Sequence, residues 1–218
     1  MSELTKTDRT TVRRRAQRGH YDRATVNAIL DEAMVCHVGL VSDGAPLVLP
    51  TGYGRMGDSL VLHGSSINAM LGTLAGGVDA CVTVTLLDGL VLARAAFRHS
   101  MNYRSVVLFG KATEIIDRAE KLRALEALTD HLIPGRWAEA RWPTDEELDK
   151  TSVLLFPIDE ASAKIRSGPP LDVDEDLAHP AWAGVLPVAL HFDEASPDPK
   201  LDANKAVPAY LQGYQRGG

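Results

Sequence analysis

The stretch MVCHVGLVS (34–42), Asp43-Gly44, APLVLPTGYGRM (45–56), Gly57-Asp58, SLVLHGS (59–65) decides the fold. Three runs rich in Val and Leu are separated by two dipeptides that reach the positive φ values a tight hairpin needs. The spacing therefore predicts an antiparallel meander. Gly52 to Gly57 also matches G-x-G-x-x-G letter for letter. Context rejects that match: a dinucleotide fingerprint turns a strand into a helix, whereas here Leu60, Val61 and Leu62 continue as a strand. A doubly wound parallel sheet is disfavoured on the same ground.

Working outward, Tyr21–Ala33 places Val26, Ile29, Leu30 and Ala33 at helical spacing, and residues 1–20 read as a flexible, basic N-terminal arm. Downstream, Ile67–Gly76 reads as a short helix opened by Ser65-Ser66 and closed by Gly76-Gly77. Strands follow at 79–87 and 90–97 about an Asp88-Gly89 turn, and at 102–116 with a bend at Phe109-Gly110. Asp117–Leu132 carries Leu122, Leu125, Leu128 and Leu132 on one helical face, Thr144 and Glu147 form a capping box, and 153–166 supplies a closing strand. The pattern is mainly β with some α, an antiparallel barrel with peripheral helices. The main domain spans 21–170, and 171–218 is a C-terminal extension expected to pack on the barrel or on a partner subunit.

Composition narrows the function classes. With 218 residues, 45% hydrophobic and 24% charged, the chain can bury a core without disulfides or metals. A net charge of −6 argues against nucleic-acid binding through bulk charge. Cys36 and Cys81 lie inside apolar strands without CxxC spacing and read as buried, reduced thiols. No run approaches the ~20 apolar residues of a membrane helix and the N-terminus lacks a signal-peptide core, so a soluble cytoplasmic protein with no membrane partner is expected.

Few motifs carry chemistry. No GxSxG elbow, HExxH helix or P-loop occurs. His37, His63 and His99 lie on separate strands without metal-ligand spacing, and no metal centre is expected. His63-Gly64-Ser65-Ser66 joins a strand to a helix, where free N–H groups favour an anion; N-capping by Ser65 or Ser66 is the alternative. Arg94–Ser105 (RAAFRHSMNYRS) is dense in donors, which suits an anionic or heteroaromatic ligand or, alternatively, surface ion pairs. On the alternation of 102–110, Arg104 falls on a partly covered face and needs a bound anion, or else a carboxylate such as Asp88 or Glu114. Trp137, Trp142 and Trp182 lie outside the strands, as expected of rings covered by a ligand or a second subunit.

Leu49-Pro-Thr-Gly-Tyr53, His63-Gly-Ser-Ser66 and Asn102-Tyr-Arg-Ser-Val-Val-Leu-Phe-Gly110, in this order of elements, resemble the flavin-binding split-barrel family of pyridoxamine 5′-phosphate oxidase-like proteins, in the branch with nitroimidazole-resistance proteins. The resemblance spans about 15–190. It implies a six-stranded Greek-key split barrel, homodimeric, with FMN at the subunit interface. By the same resemblance Leu49, Pro50, Thr51, Gly52 and Tyr53 would run along the flavin ring, and His63, Gly64, Ser65, Ser66 and Asn68 would hold the ribityl chain and phosphate. Ser100 to Ser105 would complete the site, and Trp137 and Trp182 would cover it.

Two departures bear on function. Relatives place a Lys or Arg early in the helix after HGS, where this chain has Ile67-Asn68-Ala69-Met70. The tail around Arg166 and Trp182 lacks the basic C-terminal motif of true pyridoxamine phosphate oxidases, so that reaction is not expected. The reading is a flavin-dependent oxidoreductase acting on a small molecule, with His99, Tyr103 and Arg104 as substrate contacts and deazaflavin as an alternative to FMN. The alternative function is a non-catalytic flavin- or haem-binding sensor or store, with His63 or His99 as axial ligand.

Overall fold

The computed structural model describes residues 3–216. Its strands are β1 (Gly19–His20), β2 (Val35–Ser42), β3 (Ala45–Gly52), β4 (Gly54–Met56), β5 (Ser59–Ser65), β6 (Ala80–Leu92), β7 (Ser100–Gly110), β8 (Thr113–Glu114), β9 (Thr151–Pro157), β10 (Glu160–Arg166) and β11 (Gly184–Pro187). The helices are α1 (Arg23–Glu32), α2 (Ala69–Ala75), α3 (Arg118–Leu132), α4 (Arg136–Glu139) and α5 (Asp145–Asp149). All strand pairings are antiparallel. One sheet runs β1-β10-β7-β6-β2-β3, with β11 added beside β6, and the other runs β4-β5-β9-β8.

The chain crosses between the sheets at Tyr53, through the α2 segment between β5 and β6, at Lys111-Ala112 and at Ile158-Asp159. These crossings make the expected split barrel. Its interior is filled by the inward faces of both sheets, including Val38, Val82, Val84, Val106, Leu108, Leu154 and Phe156, and α1 packs Val26, Ile29 and Leu30 into the same core. A second cluster joins Val61 and Val153 to Leu125, Leu128 and Leu148 beneath α3 and α5. Gly54 is required here, because a Cβ on it would lie 2.4 Å from the Cα of Leu128. Asp43 and Gly44 both adopt positive φ, 50° and 78°, at the predicted β2–β3 hairpin. The Thr144–Glu147 capping box opens α5 as read from sequence.

Four expectations are corrected. Asp88-Gly89 does not turn a hairpin: β6 continues through it as a bulge, and β11 pairs alongside. The closing strand 153–166 is two strands, broken at Ile158-Asp159 because its halves belong to different sheets. The helix predicted from Ile67 begins at Ala69, and its cap is Asn68, whose Oδ1 accepts from the Leu71 N–H at 3.1 Å, rather than Ser65 or Ser66. The arm expected to be flexible packs onto the barrel over its described residues. Leu4 is buried, Arg9 bridges Asp79 and Glu160, and β1 pairs with β10.

At the other end, Tyr214 donates to the Leu132 carbonyl at 2.5 Å, and Arg216 donates to the carbonyls of Glu32 (2.9 Å) and Asp31 (2.6 Å). The tail thereby satisfies carbonyls that the ends of α1 and α3 leave without helical partners. Among the described residues no helix is long and apolar enough to cross a membrane.

Candidate functional site

Strand β3 ends its sheet, so one of its edges presents unpaired N–H and C=O groups. Leu49 and Pro50 are exposed there, and Thr51 and Gly52 half-buried. Tyr53 differs. Its ring is fully buried, and its hydroxyl donates to the Leu30 carbonyl at 2.6 Å, so only its backbone is left for a ligand.

At the end of β5, His63, Ser65 and Ser66 are exposed. The Ser66 N–H is already bound to the Lys150 carbonyl (2.9 Å), and the Asn68 side chain is committed to capping α2. The cap uses the Oδ1 of Asn68, so its Nδ2 amide is what is left to meet an anion. His63 lines a cavity of about 330 Å³ with Leu125, Leu128, Trp137 and Arg141. Partial desolvation against this wall pushes the His63 pKa below its ordinary value, in favour of the neutral ring. Trp137 packs on Trp142, with ring centroids 6.0 Å apart. Trp182 lies elsewhere, largely exposed, with its ring over Gly184.

The donor-rich segment 94–105 divides. His99, Ser100 and Tyr103 line one cavity of about 470 Å³ together with Arg98. His99 contacts the Ala95 carbonyl through Nδ1 at 3.2 Å. Arg104 points the other way, into the barrel end. There it is paired with Asp88 (Nη2–Oδ1 2.8 Å) and Glu32 (Nη2–Oε1 2.7 Å), which raise its pKa further. Two carboxylates thus already offset the charge of Arg104, the alternative that the sequence reading left open. The partner it has is Asp88, one of the two anticipated, together with Glu32, which sequence reasoning missed; Glu114 instead accepts from the Ser152 hydroxyl. Ser105 donates to the Lys164 carbonyl at 3.3 Å.

Sequence reasoning also missed the rest of the cavity around His99 and Tyr103. Arg14, Arg15 and Arg18 line it from the N-terminal segment, and Lys164 and Arg166 from β10. The runs RRR and KIR were visible as charge. Only the pairing of Gly19 with Lys164 brings them together, 145 residues apart in sequence (164 − 19), beyond any periodicity argument. Among the described residues no three His, Cys, Asp or Glu side chains converge to hold a metal ion.

A split barrel with an open strand edge and a strand-to-helix turn at HGSS is the architecture of a flavin-binding family. The chain belongs to the pyridoxamine 5′-phosphate oxidase family, which matches residues 22–165. It is similar over almost its full length to two solved structures. One is the flavocytochrome Anf3 from Azotobacter vinelandii, at 42% identity, TM-score 0.91, covering 97% of this chain and 98% of that one. The other is the FAD and haem binding protein from Mycobacterium smegmatis, at 41% identity, TM-score 0.87, covering 91% and 98%. A candidate 5-nitroimidazole antibiotic resistance protein from Bacteroides thetaiotaomicron matches at 26% identity, TM-score 0.56, covering 67% and 86%. No curated protein matches significantly.

Proposed function

We propose that the protein is a flavin- and haem-binding redox protein, a homodimeric oxidoreductase of flavocytochrome type. The observation that carries this reading is the similarity above 40% identity, over more than nine-tenths of the chain, to one structure named a flavocytochrome and another named for FAD and haem. The same observation favours FAD over the FMN expected from sequence, and supports haem as a second cofactor rather than as an alternative.

The residues present suit both groups. The unpaired edge of β3 offers backbone donors and acceptors to the polar rim of a flavin, and the exposed hydroxyls of Ser65 and Ser66 suit its ribityl chain. A haem needs a neutral imidazole beside apolar and aromatic side chains. His63, with its lowered pKa and its neighbours Leu125, Leu128 and Trp137, meets that need. His99, in a cavity lined by arginines, does not. When bound, the flavin would supply hydride and single-electron transfer, while this chain orients it and excludes water.

The outer face of the larger sheet supports the dimer. Val35, Val41 and Val48 are 49%, 62% and 62% exposed on β2 and β3, beside exposed His37, Pro46 and Pro50. Contiguous apolar surface on an edge strand is a liability unless covered, and a second copy covers it symmetrically. Purification after expression with riboflavin and a haem precursor, followed by extraction and mass measurement of the bound molecules, tests the reading. Recovery of flavin and haem is expected; recovery of neither would overturn it.

A further inference from the structure

The largest concentration of unbalanced charge lies where the N-terminal segment crosses β10 and the start of β7. Six cationic side chains, Arg14, Arg15, Arg18, Arg98, Lys164 and Arg166, line one cavity of about 470 Å³, and no carboxylate among the described residues lines it. In a chain with a net charge of −6 this is not a compositional accident. Arg14, Arg15, Arg18, Lys164 and Arg166 have no ion pair among the described residues, and Arg98 has only a long one, 3.9 Å to Asp176.

Arg166 carries the argument furthest. It is 95% buried, and its partners are neutral: the Asn102 side chain and the carbonyls of Gly168 (3.2 Å) and Pro169 (3.1 Å). Its Nε is buried without a hydrogen-bond partner among the described residues. Desolvation and the neighbouring charge of Arg18 both push its pKa down, so the cluster is under mutual repulsion as it stands. A buried guanidinium whose partners are all neutral lacks the anion that would offset its desolvation. Arg15 adds strain of its own, being held at φ 60° in the left-handed region.

The rim specifies more than charge. Phe97 is 95% exposed on a short 3-10 turn, and Tyr103 forms part of the wall. A lone exposed phenylalanine beside clustered arginines offers a stacking face for a planar ring. We infer that this cavity binds a nucleoside diphosphate group, its phosphates held by the arginine cluster and its base stacked on Phe97. Such a group has two sources, the adenosine diphosphate end of a bound FAD and a free nicotinamide dinucleotide serving as electron donor. The inference stands on the cavity alone and does not require the flavin reading.

Calorimetric titration of the purified protein with ADP, with its own flavin retained and again after flavin removal, tests it. ADP is expected to bind, and more weakly as salt is raised. The paired variant Arg14→Ala with Arg15→Gly should weaken ADP at least about tenfold, the scale of one lost charge-assisted contact. It should not lower the melting temperature of the ligand-free protein, since glycine tolerates the positive φ and one source of repulsion is gone. Phe97→Ala should weaken ADP but not pyrophosphate. Binding only after flavin removal assigns the cavity to FAD, and binding with flavin retained assigns it to a free dinucleotide; either supports the inference. ADP binding to a protein that holds no flavin under any condition also supports it, while removing the flavin reading. Absence of ADP binding at millimolar concentration in both forms overturns it, as does binding unaffected by the paired variant or by Phe97→Ala.

Discussion

Arg104 and Asp88 form an ion pair at the bulge of β6, with Nη2 and Oδ1 2.8 Å apart, and Glu32 at the end of α1 completes the arrangement. All three side chains are less than one-third exposed, so the pair ties β7, β6 and α1 together at one end of the barrel. Arg104→Met keeps the volume and strands two partly buried carboxylates. It should lower the stability of the cofactor-free protein by about 1–3 kcal/mol while leaving flavin affinity unchanged. Melting curves and a flavin titration on the same variant check both halves.

The hydroxyl of Tyr53 is the partner of the Leu30 carbonyl inside the core. Tyr53→Phe should cost about 1–2 kcal/mol of folding stability, because a buried acceptor is left unsatisfied, and should not change cofactor content. Denaturant unfolding with the visible spectrum of the same preparation checks this.

His131 is pushed below its ordinary pKa of 6.5, first by desolvation and also by Arg216, against the raising effect of the Ala33 carbonyl. A folded-state pKa depressed below the unfolded one means that the unfolded chain binds the proton more readily in between. The stability held above the unfolded value is therefore lost as pH falls through the folded one. His63 shifts in the same direction and adds to the effect. The melting temperature should fall as pH is lowered from about 7 to about 5, and His131→Gln should flatten that slope.

Val48 lies 62% exposed on the edge strand that the proposed second copy covers. Val48→Lys should convert the dimer to a species of 23.5 kDa by light scattering, with its melting curve in the monomer range intact. A wild-type monomer at micromolar concentration would contradict the interface.

The two hairpins within 34–65 were legible because Asp-Gly and Gly-Asp turns and strand alternation are local signals, and the same is true of the Thr144 cap. The expected three-strand meander was not formed: the run 45–56 breaks at Tyr53 and its halves join different sheets. Asp88-Gly89 misled because the same dipeptide that closes a hairpin also fits a bulge, and which forms depends on β11, about 95 residues away (184 − 89). The break at Ile158-Asp159 was invisible for a related reason: a strand that changes sheets keeps its alternation while changing its partners. At the site, HGSS and the β3 edge could be read locally. The arginine cavity could not, since its cations come from residues 14–18, 98 and 164–166 and meet only through β1–β10 pairing. Arg104 shows the converse limit. Alternation placed it on a covered face, but Glu32, its second partner, is supplied by a helix packed across the barrel end.

The visible absorption spectrum of the purified protein, wild type beside His63→Ala, tests the central claim most directly. Wild type should show flavin bands together with the Soret band of an imidazole-ligated haem, and His63→Ala should keep the flavin bands while the Soret band shifts or disappears. A wild-type protein that is colourless and takes up neither added flavin nor added haem would contradict the account.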